Sequence, residues 1–209
     1  MFLSPEIIIE AYSKGIFPMS DSHNDPFVYW VDPKVRGIIN LKEFKISKSL
    51  RKVLKKKNYK IKINRNFEKV INLCAKNPSR NNTWINNQII INYIKLNKMG
   101  KANSVECYYN NELVGGLYGI LLGNIFCGES MFSIQTNASK ISMAYLAAHL
   151  IEGGFEFIDT QFYSEHLKQF GTKKILKSEY LELLSRNWNK QKNFPLNISQ
   201  NILEYFNQN

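Results

Sequence analysis

The stretch from residue 102 to residue 131 most constrains the fold, because it predicts three consecutive strands of one sheet. Two strand-like segments, Ala102–Tyr109 and Glu112–Leu122, flank an Asn-Asn pair that suits a tight hairpin turn. A third strand-like segment follows at residues 124–131. Consecutive strands joined by short turns pair antiparallel, so we expect an antiparallel meander at the centre of the fold.

The other predicted elements are mostly helices, and they lie on both sides of the meander in the sequence. We expect helices at residues 5–13, 47–57, 67–75, 87–99, 138–152 and 177–186, a helical turn at 164–169, short strands at 28–30, 37–40, 59–64 and 155–159, and a polar loop at 77–82. Ser4 is the expected N-cap of the first helix, and Asn137 is that of a long amphipathic helix. This order is that of an α+β fold, with a mixed, largely antiparallel sheet and helices on its faces.

The N-terminal stretch has little apolar material for a core of its own. We therefore expect a small N-terminal α/β domain at residues 1–57, packed on a larger domain at residues 58–209. The element order of the larger domain resembles the GNAT-like (acyl-CoA N-acyltransferase-like) fold. Acetyl-CoA enzymes of that fold have a Gly-rich pyrophosphate loop before the long helix, whereas residues 133–140 contain no glycine. The fold prediction therefore does not bring coenzyme A with it.

The chain is strongly basic, with a formal net charge of +11 over 209 residues, which suggests a polyanionic partner. Hydrophobic residues make up 44%, enough for a folded core. The densest basic segment is residues 48–62, with eight basic residues and no acid. Such a run is either a solvated face or a phosphate-binding patch, and the overall charge favours the patch. The candidate phosphate contacts on the helix of this segment are Lys48, Arg51, Lys52, Lys55 and Lys56.

Cysteine usage and the absence of apolar spans bear on location. Cys74, Cys107 and Cys127 are widely spaced and form no C-x-x-C pair, so they indicate buried thiols in a reducing compartment. The N-terminal segment has no basic n-region of a signal peptide, and no apolar run approaches the ~20 residues of a membrane span. We therefore expect a soluble, cytoplasmic protein.

Glu129 is the one carboxylate in the apolar segment GNIFCGESMFS, residues 123–133. Glutamate is rarely buried without a partner, and an unpaired buried charge is costly. Glu129 therefore lies either at a surface turn or in a pocket that needs a hydrogen-bond acceptor.

A second polar pair follows a short apolar strand. Asp159 and Gln161 are two residues apart, so a strand would point both side chains to one face, where they could orient one incoming donor. The alternative is an Asp that caps a helix or stabilises a turn. His166 is the nearest histidine in sequence, and without a nucleophile motif we interpret it as structural. Trp30 and Trp84 are either anchors on the core or platforms on which unpaired bases stack.

Together these segments resemble one family, the leucyl/phenylalanyl-tRNA–protein transferases, which are bacterial aminoacyltransferases of the N-degron pathway. The matching segments extend over nearly the whole chain: AYSKGIFPM (11–19), WVDPKVRGII (30–39), SKSLRK (47–52), TWI (83–85), LVGGLYGILLGNIFCGESMFS (113–133), NASKISMAYL (137–146) and FIDTQFYSEHLKQFGTKKI (157–175). The LVGG and GESMFS blocks together are the most specific. The chain departs from the family at Asn103, where His is frequent, and at Lys45 and Lys48, where His and Arg are frequent.

The resemblance implies a two-domain protein with a GNAT-like C-terminal domain, no metal and no coenzyme. It implies transfer of Leu or Phe, and in some members Met, from charged tRNA to the α-amino group of proteins with N-terminal Arg or Lys. We expect a monomer that does not bind membranes. The alternatives are a peptidoglycan-type or other tRNA-dependent aminoacyltransferase of the same fold, and a non-catalytic RNA-binding module.

These expectations assign roles to the candidate residues. Asp159 is expected to orient Gln161, and Gln161 to hold the attacking amine as the catalytic pair. Glu129 is expected to bind either the aminoacyl amino group or the basic N-terminal side chain of the acceptor. The remaining assignments are an apolar aminoacyl pocket lined by Phe126, Met131 and Leu117, a clamp on the terminal adenosine and the acceptor peptide formed by Trp30 and Trp84, and tRNA contacts from the basic helix.

Overall fold

The computed structural model describes residues 3–56, 58–76 and 83–206. The strands are β1 Phe17–Met19, β2 Tyr29–Val31, β3 Val35–Asn40, β4 Lys60–Ile63, β5 Ala102–Tyr109, β6 Glu112–Leu122, β7 Ile125–Ser133, β8 Phe157–Gln161 and β9 Lys173–Leu176. The helices are α1 Pro5–Ser13, α2 Lys48–Lys55, α3 Phe67–Ala75, α4 Asn87–Lys98, α5 Ala138–Glu152, α6 Glu165–Lys168 and α7 Lys177–Asn187. The loop predicted at residues 77–82 and Lys57, the predicted end of the basic helix, lie outside the described residues.

Seven strands form one sheet in the order β4-β5-β6-β7-β8-β3-β9, and β1 pairs with β2 in a separate two-stranded sheet. The predicted meander β5-β6-β7 is confirmed. Asn110 and Asn111 both have positive φ, 50° and 66°, as a type I′ hairpin turn requires. Strand β8 returns parallel to β7 after the crossover through α5. The α+β prediction, with the GNAT-like order of meander, long helix and strand, is thereby confirmed.

Helices cover both faces of the sheet. Successive residues of a strand point to opposite faces, and Leu117 and Tyr118 of β6 accordingly belong to different core clusters. The cluster around Tyr118 includes residues of α1, α3 and α4. The cluster around Leu117 includes residues of α2, α5 and the C-terminal segment that ends at Phe206.

Helix α5 has the predicted bounds but differs from the prediction in two respects. It is buried on nearly all sides rather than amphipathic, because it lies between the sheet, α2 and the C-terminal segment. Asn137 adopts the left-handed conformation, with φ of 69°, and its side chain makes no capping hydrogen bond. Asn137 therefore occupies the predicted N-cap position, but the expected capping hydrogen bond of its side chain is absent.

A close approach fixes α5 on the sheet. A Cβ atom at Gly115 of β6 would lie 2.4 Å from Ala138 Cβ and 2.9 Å from the Ala138 carbonyl carbon. Such distances leave no room for a side chain, so a glycine at this position allows the helix to begin directly against the strand.

The N-terminal part of the chain contributes more to the large sheet than the sequence indicates. Strand β3 lies inside it, between β8 and β9, whereas α1, β1 and β2 lie outside it. Strand β9 was not predicted because its Lys-Lys-Ile-Leu sequence is mostly exposed at the sheet edge. The domain division at residue 57 stays a prediction.

Candidate active site

A cavity of about 720 Å³ opens where β7 and β8 stop pairing. Their parallel ladder ends at the pair Cys127 and Asp159, and the residues that follow on each strand, 128–131 and 160–162, line the cavity. Apolar lining residues include Phe17, Met19, Leu117, Phe126, Met143 and Leu146. The end of a parallel pair thus creates an apolar space with two polar strand ends at its wall.

Glu129 lies on a β-bulge that directs it towards this cavity. Along the β6–β7 ladder, Tyr118 faces Ser130 and Gly119 faces Gly128, so Glu129 has no residue opposite it. A bulge of this kind bends the strand and re-aims the extra side chain. Glu129 is half-buried and lines the cavity. The sequence leaves Glu129 either at a surface turn or in a pocket, and in the structure it lies in the pocket.

Three side chains hold the Glu129 carboxylate. Tyr12 donates to Oε1 at 2.5 Å, the Gln161 amide donates to the same oxygen at 3.0 Å, and Tyr93 donates to Oε2 at 3.2 Å. The hydroxyl oxygens of Tyr12 and Tyr93 are 3.1 Å apart. The Gln161 amide nitrogen also donates to the Tyr12 hydroxyl oxygen, at 3.2 Å. The carboxylate is therefore fixed by donors from α1, α4 and β8.

The environment of Glu129 favours its neutral form. Burial raises the pKa of the Glu129 carboxyl to about 8, against the opposing effect of the hydrogen bonds from Tyr12 and Tyr93. Burial is also the largest cause that raises the pKa of both tyrosines, and the Glu129 charge adds to it. Burial and the hydrogen bonds therefore act on Glu129 in opposite directions, and the net effect keeps the pKa of its carboxyl above the usual value.

Asp159 is fully buried and paired with Arg36 of β3. The guanidinium donates from Nε to Oδ1 at 2.9 Å and from Nη2 to Oδ2 at 2.7 Å, while Tyr180 of α7 donates to Oδ2 at 2.8 Å. Burial lowers the pKa of Arg36, but the Asp159 carboxylate raises it by more, so the net pKa lies above its usual value. Asp159 is thus a paired, hydrogen-bonded anion rather than a free base.

Gln161 owes its position to Asp159. Its backbone N–H donates to Asp159 Oδ1 at 2.8 Å, and its φ of 59° is in the left-handed region, which is uncommon for a residue with a side chain. The register of β8 against β3 shifts at this point, between Gly37 and Ile38. A Cβ atom at Gly37 would lie 2.5 Å from Thr160 Oγ1, so glycine is required beside this bulge. These constraints present the Gln161 side chain to the cavity.

The structure brings most of the predicted site residues together, but not all of them. Leu117, Phe126, Met131 and Trp84 line the cavity with Glu129 and Gln161. Trp30 of β2 is not among the residues that line the cavity. It packs against the core cluster around Tyr118 and lies opposite Pro18 in the β1–β2 ladder. Exposed His166, which the sequence favours as structural, lines the cavity.

The basic helix α2 presents one charged face. Leu50 and Leu54 are buried, whereas Lys48, Lys52, Lys55 and Lys56 are exposed at helical spacing. Arg51 is half-buried, and its guanidinium donates to the Phe206 carbonyl at 2.8 Å, so it also ties α2 to the C-terminal segment. Helix α2 packs on α5, whose residues Ser139, Met143 and Leu146 line the cavity.

Four residues that hold the site were missed as site residues. Tyr12, Tyr93, Arg36 and Tyr180 make the contacts to Glu129 and Asp159. Arg36 could have been found from the sequence, because, like Glu129, it is a charged residue within an apolar strand. The two tyrosines that bind Glu129 occupy buried helix positions that the sequence does not distinguish from core residues.

Searches for a metal centre and for a membrane span give no candidate in the part of the chain that the structure describes. No three side chains of His, Cys, Asp or Glu meet there in a group that could bind a metal ion. No helix among the described residues combines the length and the apolar character needed to span a bilayer. The three cysteines are buried thiols, and burial is the largest cause that raises the thiol pKa of Cys107 and Cys127.

The site is an apolar cavity with a carboxyl and a positioned amide at its wall, and comparison with known proteins identifies the family of the chain. Residues 38–185 match the family described as leucyl/phenylalanyl-tRNA protein transferase, and residues 1–34 match the N-terminal domain of the same family. The chain belongs to the leucyl/phenylalanyl-tRNA protein transferase family, whose members are aminoacyltransferases.

Three relatives are each named leucyl/phenylalanyl-tRNA–protein transferase. The relative from Nitrobacter winogradskyi is 45% identical, over 87% of this chain and 81% of its own length. The relative from Novosphingobium aromaticivorans is 45% identical, over 88% of this chain and 70% of its own length. The relative from Maricaulis maris is 46% identical, over 86% of this chain and 84% of its own length.

Two solved structures show a more distant likeness. L-PGS from Bacillus licheniformis is 12% identical, with a TM-score of 0.39 over 83% of this chain and 68% of that one. The C-terminal domain of a putative lysylphosphatidylglycerol synthetase from Agrobacterium fabrum is 11% identical. Its TM-score is 0.43, over 89% of this chain and 58% of that one. At these scores the likeness adds nothing to the family assignment.

The Arg36–Asp159 pair yields a stability prediction. Arg36→Met leaves the buried Asp159 carboxylate without its cation, so we expect the free energy of unfolding to fall by about 3–5 kcal/mol. Lys14→Met removes a cation from the exposed pair with Glu10, 64% and 65% exposed, and serves as the control. That variant should lose no more than about 1 kcal/mol in the same urea titration. Equal losses in the two variants would contradict the importance of the buried pair.

The raised pKa of Glu129 yields a pH prediction. The folded protein keeps this proton to about pH 8, whereas the unfolded chain loses it near 4.5, so stability falls as pH rises through that window. Glu129→Gln should remove this loss, and its unfolding free energy should gain on the wild type by up to about 1.4 kcal/mol per pH unit. Glu10→Gln is the control: the Lys14 hydrogen bond lowers the pKa of Glu10 from 4.5, so its effect has the opposite sign and lies below that pH, and this variant should run parallel to the wild type above it. Parallel stability curves for wild type and Glu129→Gln would refute the assignment.

Proposed function

We propose that this protein transfers Leu, Phe or Met from an aminoacyl-tRNA to the α-amino group of proteins with N-terminal Arg or Lys. The modification would mark these proteins for degradation by the N-degron pathway, in the cytoplasm, where charged tRNA is used. The observation that carries the proposal is the apolar cavity whose wall holds Glu129 and Gln161 side by side. The names of the relatives support Leu-tRNA and Phe-tRNA as donors and a protein as acceptor, whereas Met, the N-terminal Arg or Lys and the N-degron role follow from the family resemblance.

The cavity suits an apolar aminoacyl side chain that is not branched at Cβ. Phe126 and Leu117 belong to the buried core behind it, and Met131 and Met143 contribute flexible thioethers that adapt to Leu, Phe or Met. Exclusion of Ile or Val would depend on shape alone, which is worth only about 1–3 kcal/mol per methyl group. We therefore expect a preference for residues that are not branched at Cβ, with incomplete exclusion of Ile and Val.

The proposed reaction is aminolysis of the aminoacyl ester. The α-amine of the acceptor attacks the carbonyl carbon, the new amide bond forms, and the ribose 3′-oxygen leaves and collects the proton that the amine releases. The ester is already activated, so the enzyme has mainly to hold two substrates in line, which can supply about 7–11 kcal/mol in favourable cases. Neither a nucleophile nor a metal needs to be invoked.

Gln161 is suited to hold the attacking amine. Its amide nitrogen donates to Glu129 and Tyr12, and its Oε1 makes no hydrogen bond among the described residues. That carbonyl oxygen can therefore accept a hydrogen bond from a neutral amine in the cavity. Asp159 acts through the Gln161 backbone and is a positioning residue, because its oxygens already accept from Arg36 and Tyr180.

Glu129 has two proposed substrate contacts. It binds either the amino group of the aminoacyl ester or the basic side chain at the acceptor N-terminus. An approaching ammonium group would favour the ionised carboxylate, because an opposite charge nearby lowers the pKa of a carboxyl. In both arrangements the carboxylate positions a cationic group beside Gln161.

The first test of function combines an activity assay with one variant. Purified protein, Leu-tRNA and a peptide with N-terminal Arg should yield Leu-peptide, detected by mass spectrometry. Gln161→Met keeps the size but removes the amide, and we expect kcat/KM to fall about 100-fold or more while tRNA affinity is kept.

Gln88→Met is the matched control, because Gln88 is another hydrogen-bonded amide that does not line the cavity. Near wild-type transfer by Gln161→Met would overturn the assignment of Gln161. If the protein bound tRNA but transferred nothing to any peptide, it would instead be a binding module.

The exposed lysines of α2 yield a salt prediction. Lys52→Ala together with Lys55→Ala should weaken tRNA binding and reduce the slope of log K against log salt by about one for each phosphate that the helix no longer neutralises. The control replaces Lys95 and Lys98, two exposed lysines of α4, and should keep the wild-type slope. The slopes are measured by filter binding at several salt concentrations. Equal slopes for the wild type, the α2 double variant and the α4 double variant would show that α2 does not contact tRNA.

A further inference from the structure

The first turn of α5 lies at the cavity and has an unused backbone donor. The Ala138 N–H donates to the Gln135 carbonyl, and the Ser139 N–H donates to Ser133 Oγ. The Lys140 N–H, the third of the helix, has no acceptor within the described residues, because the Asn137 side chain does not cap it. An uncapped helix N-terminus is an anion-binding position, since its N–H groups and the helix dipole both favour negative charge.

Ser139 gives an independent indication of a ligand at this position. The residue is only 7% exposed and lines the cavity, and its hydroxyl makes no hydrogen bond in the part of the chain that the structure describes. A hydroxyl that is held in a largely buried residue, is not bonded to a protein acceptor and borders the cavity is available to a ligand there. Its position at the second residue of α5 places it beside the free Lys140 N–H.

Two basic side chains, Lys140 and His166, lie near this turn. Lys140 forms no ion pair among the described residues, and His166 lines the cavity nearby. Burial, and then the Lys140 cation, lower the pKa of His166, so the two basic groups disfavour each other while no anion is bound. An anion between them would reverse that effect.

We propose that Ser139, the Lys140 backbone N–H and side chain, and His166 form a subsite for the phosphate on the 5′ side of the terminal nucleotide of the donor. The inference deepens the proposed function and rests on it. With the aminoacyl group in the apolar part of the cavity, this phosphate is the nearest anion of the donor, one nucleoside away from the ester.

The subsite would also explain how one cavity handles two parts of the donor. Apolar contacts hold the amino acid without a strict fit, whereas a hydrogen-bonded phosphate has a fixed position. Because a phosphate occurs in every tRNA, this contact sets the register of the ester without reading sequence. The acyl carbon is then placed beside Gln161 whichever side chain fills the apolar space.

The test compares two stable donor analogues that cannot react. Both carry a leucyl amide at the 3′ position of adenosine, and one of them also carries a 5′-methyl phosphate with the single charge of a phosphodiester. Titration calorimetry on the full-length protein should show about tenfold tighter binding of the phosphorylated analogue, which corresponds to about 1.4 kcal/mol.

The variants are Ser139→Ala and Lys140→Gln. We expect each to reduce the tenfold ratio to about threefold or less, since each removes a charge-assisted interaction with the phosphate. The ratio between the two analogues is the readout, so a general fall of affinity in a variant does not affect it. Lys98→Gln removes one exposed lysine of α4 and should keep the tenfold ratio.

The transfer assay with Leu-tRNA separates this inference from the proposed function. If transfer occurs but the analogues bind equally, or the variants keep the wild-type ratio, the subsite is wrong and the function stands. If transfer fails but the ratio and its dependence on Ser139 and Lys140 are found, the anion subsite stands and the function is wrong. If transfer fails and the affinity ratio is also absent, both the proposed function and the anion subsite are wrong.

Discussion

The buried pair of Arg36 and Asp159 is the interaction on which the rest of the site depends. The guanidinium uses all three of its nitrogens, two towards Asp159 and one towards the Gly15 carbonyl at 2.9 Å. The rings of Phe17 and Tyr180 lie over it, with centroids 4.8 and 4.3 Å from its central carbon. One cation thus joins the N-terminal segment, β3, β8 and α7, and it satisfies the charge of Asp159. Two charges so well solvated by protein groups escape most of the penalty of burial.

Local irregularities of the sheet then convert this rigid support into a site. In regular strands the side chains alternate strictly between the two faces of the sheet. A bulge in β7 and a bulge beside β8 turn the side chains of Glu129 and Gln161 towards the space where the parallel ladder ends. The left-handed backbone of Gln161 is stabilised by the hydrogen bond of its N–H to Asp159. Irregular backbone is therefore concentrated where the chemistry is expected.

The sequence predicted the fold well because the strongest patterns are local. Hydrophobic periodicity and the Asn-Asn turn identify β5, β6 and α3 to the residue. Strand β9 was missed because an exposed edge strand shows no burial pattern, and α5 was misread as amphipathic because only tertiary packing reveals that both its faces are covered. Within the site, Glu129, Asp159 and Gln161 stand out as polar residues in apolar strands. Tyr12 and Tyr93 do not, because their hydroxyls matter only after distant segments meet.

The span of these contacts has a consequence for the order in which the protein matures. Tyr12 bonds Glu129 across 117 positions of the chain, Arg36 bonds Asp159 across 123, and Arg36 also lies within hydrogen-bond distance of Tyr180 across 144. Contacts between segments so far apart form only after the loops between them have closed. During synthesis the N-terminal partners must wait for α7 to emerge from the ribosome. The meander can therefore form from contacts local in sequence before the site is complete, because the site joins segments from α1 to α7.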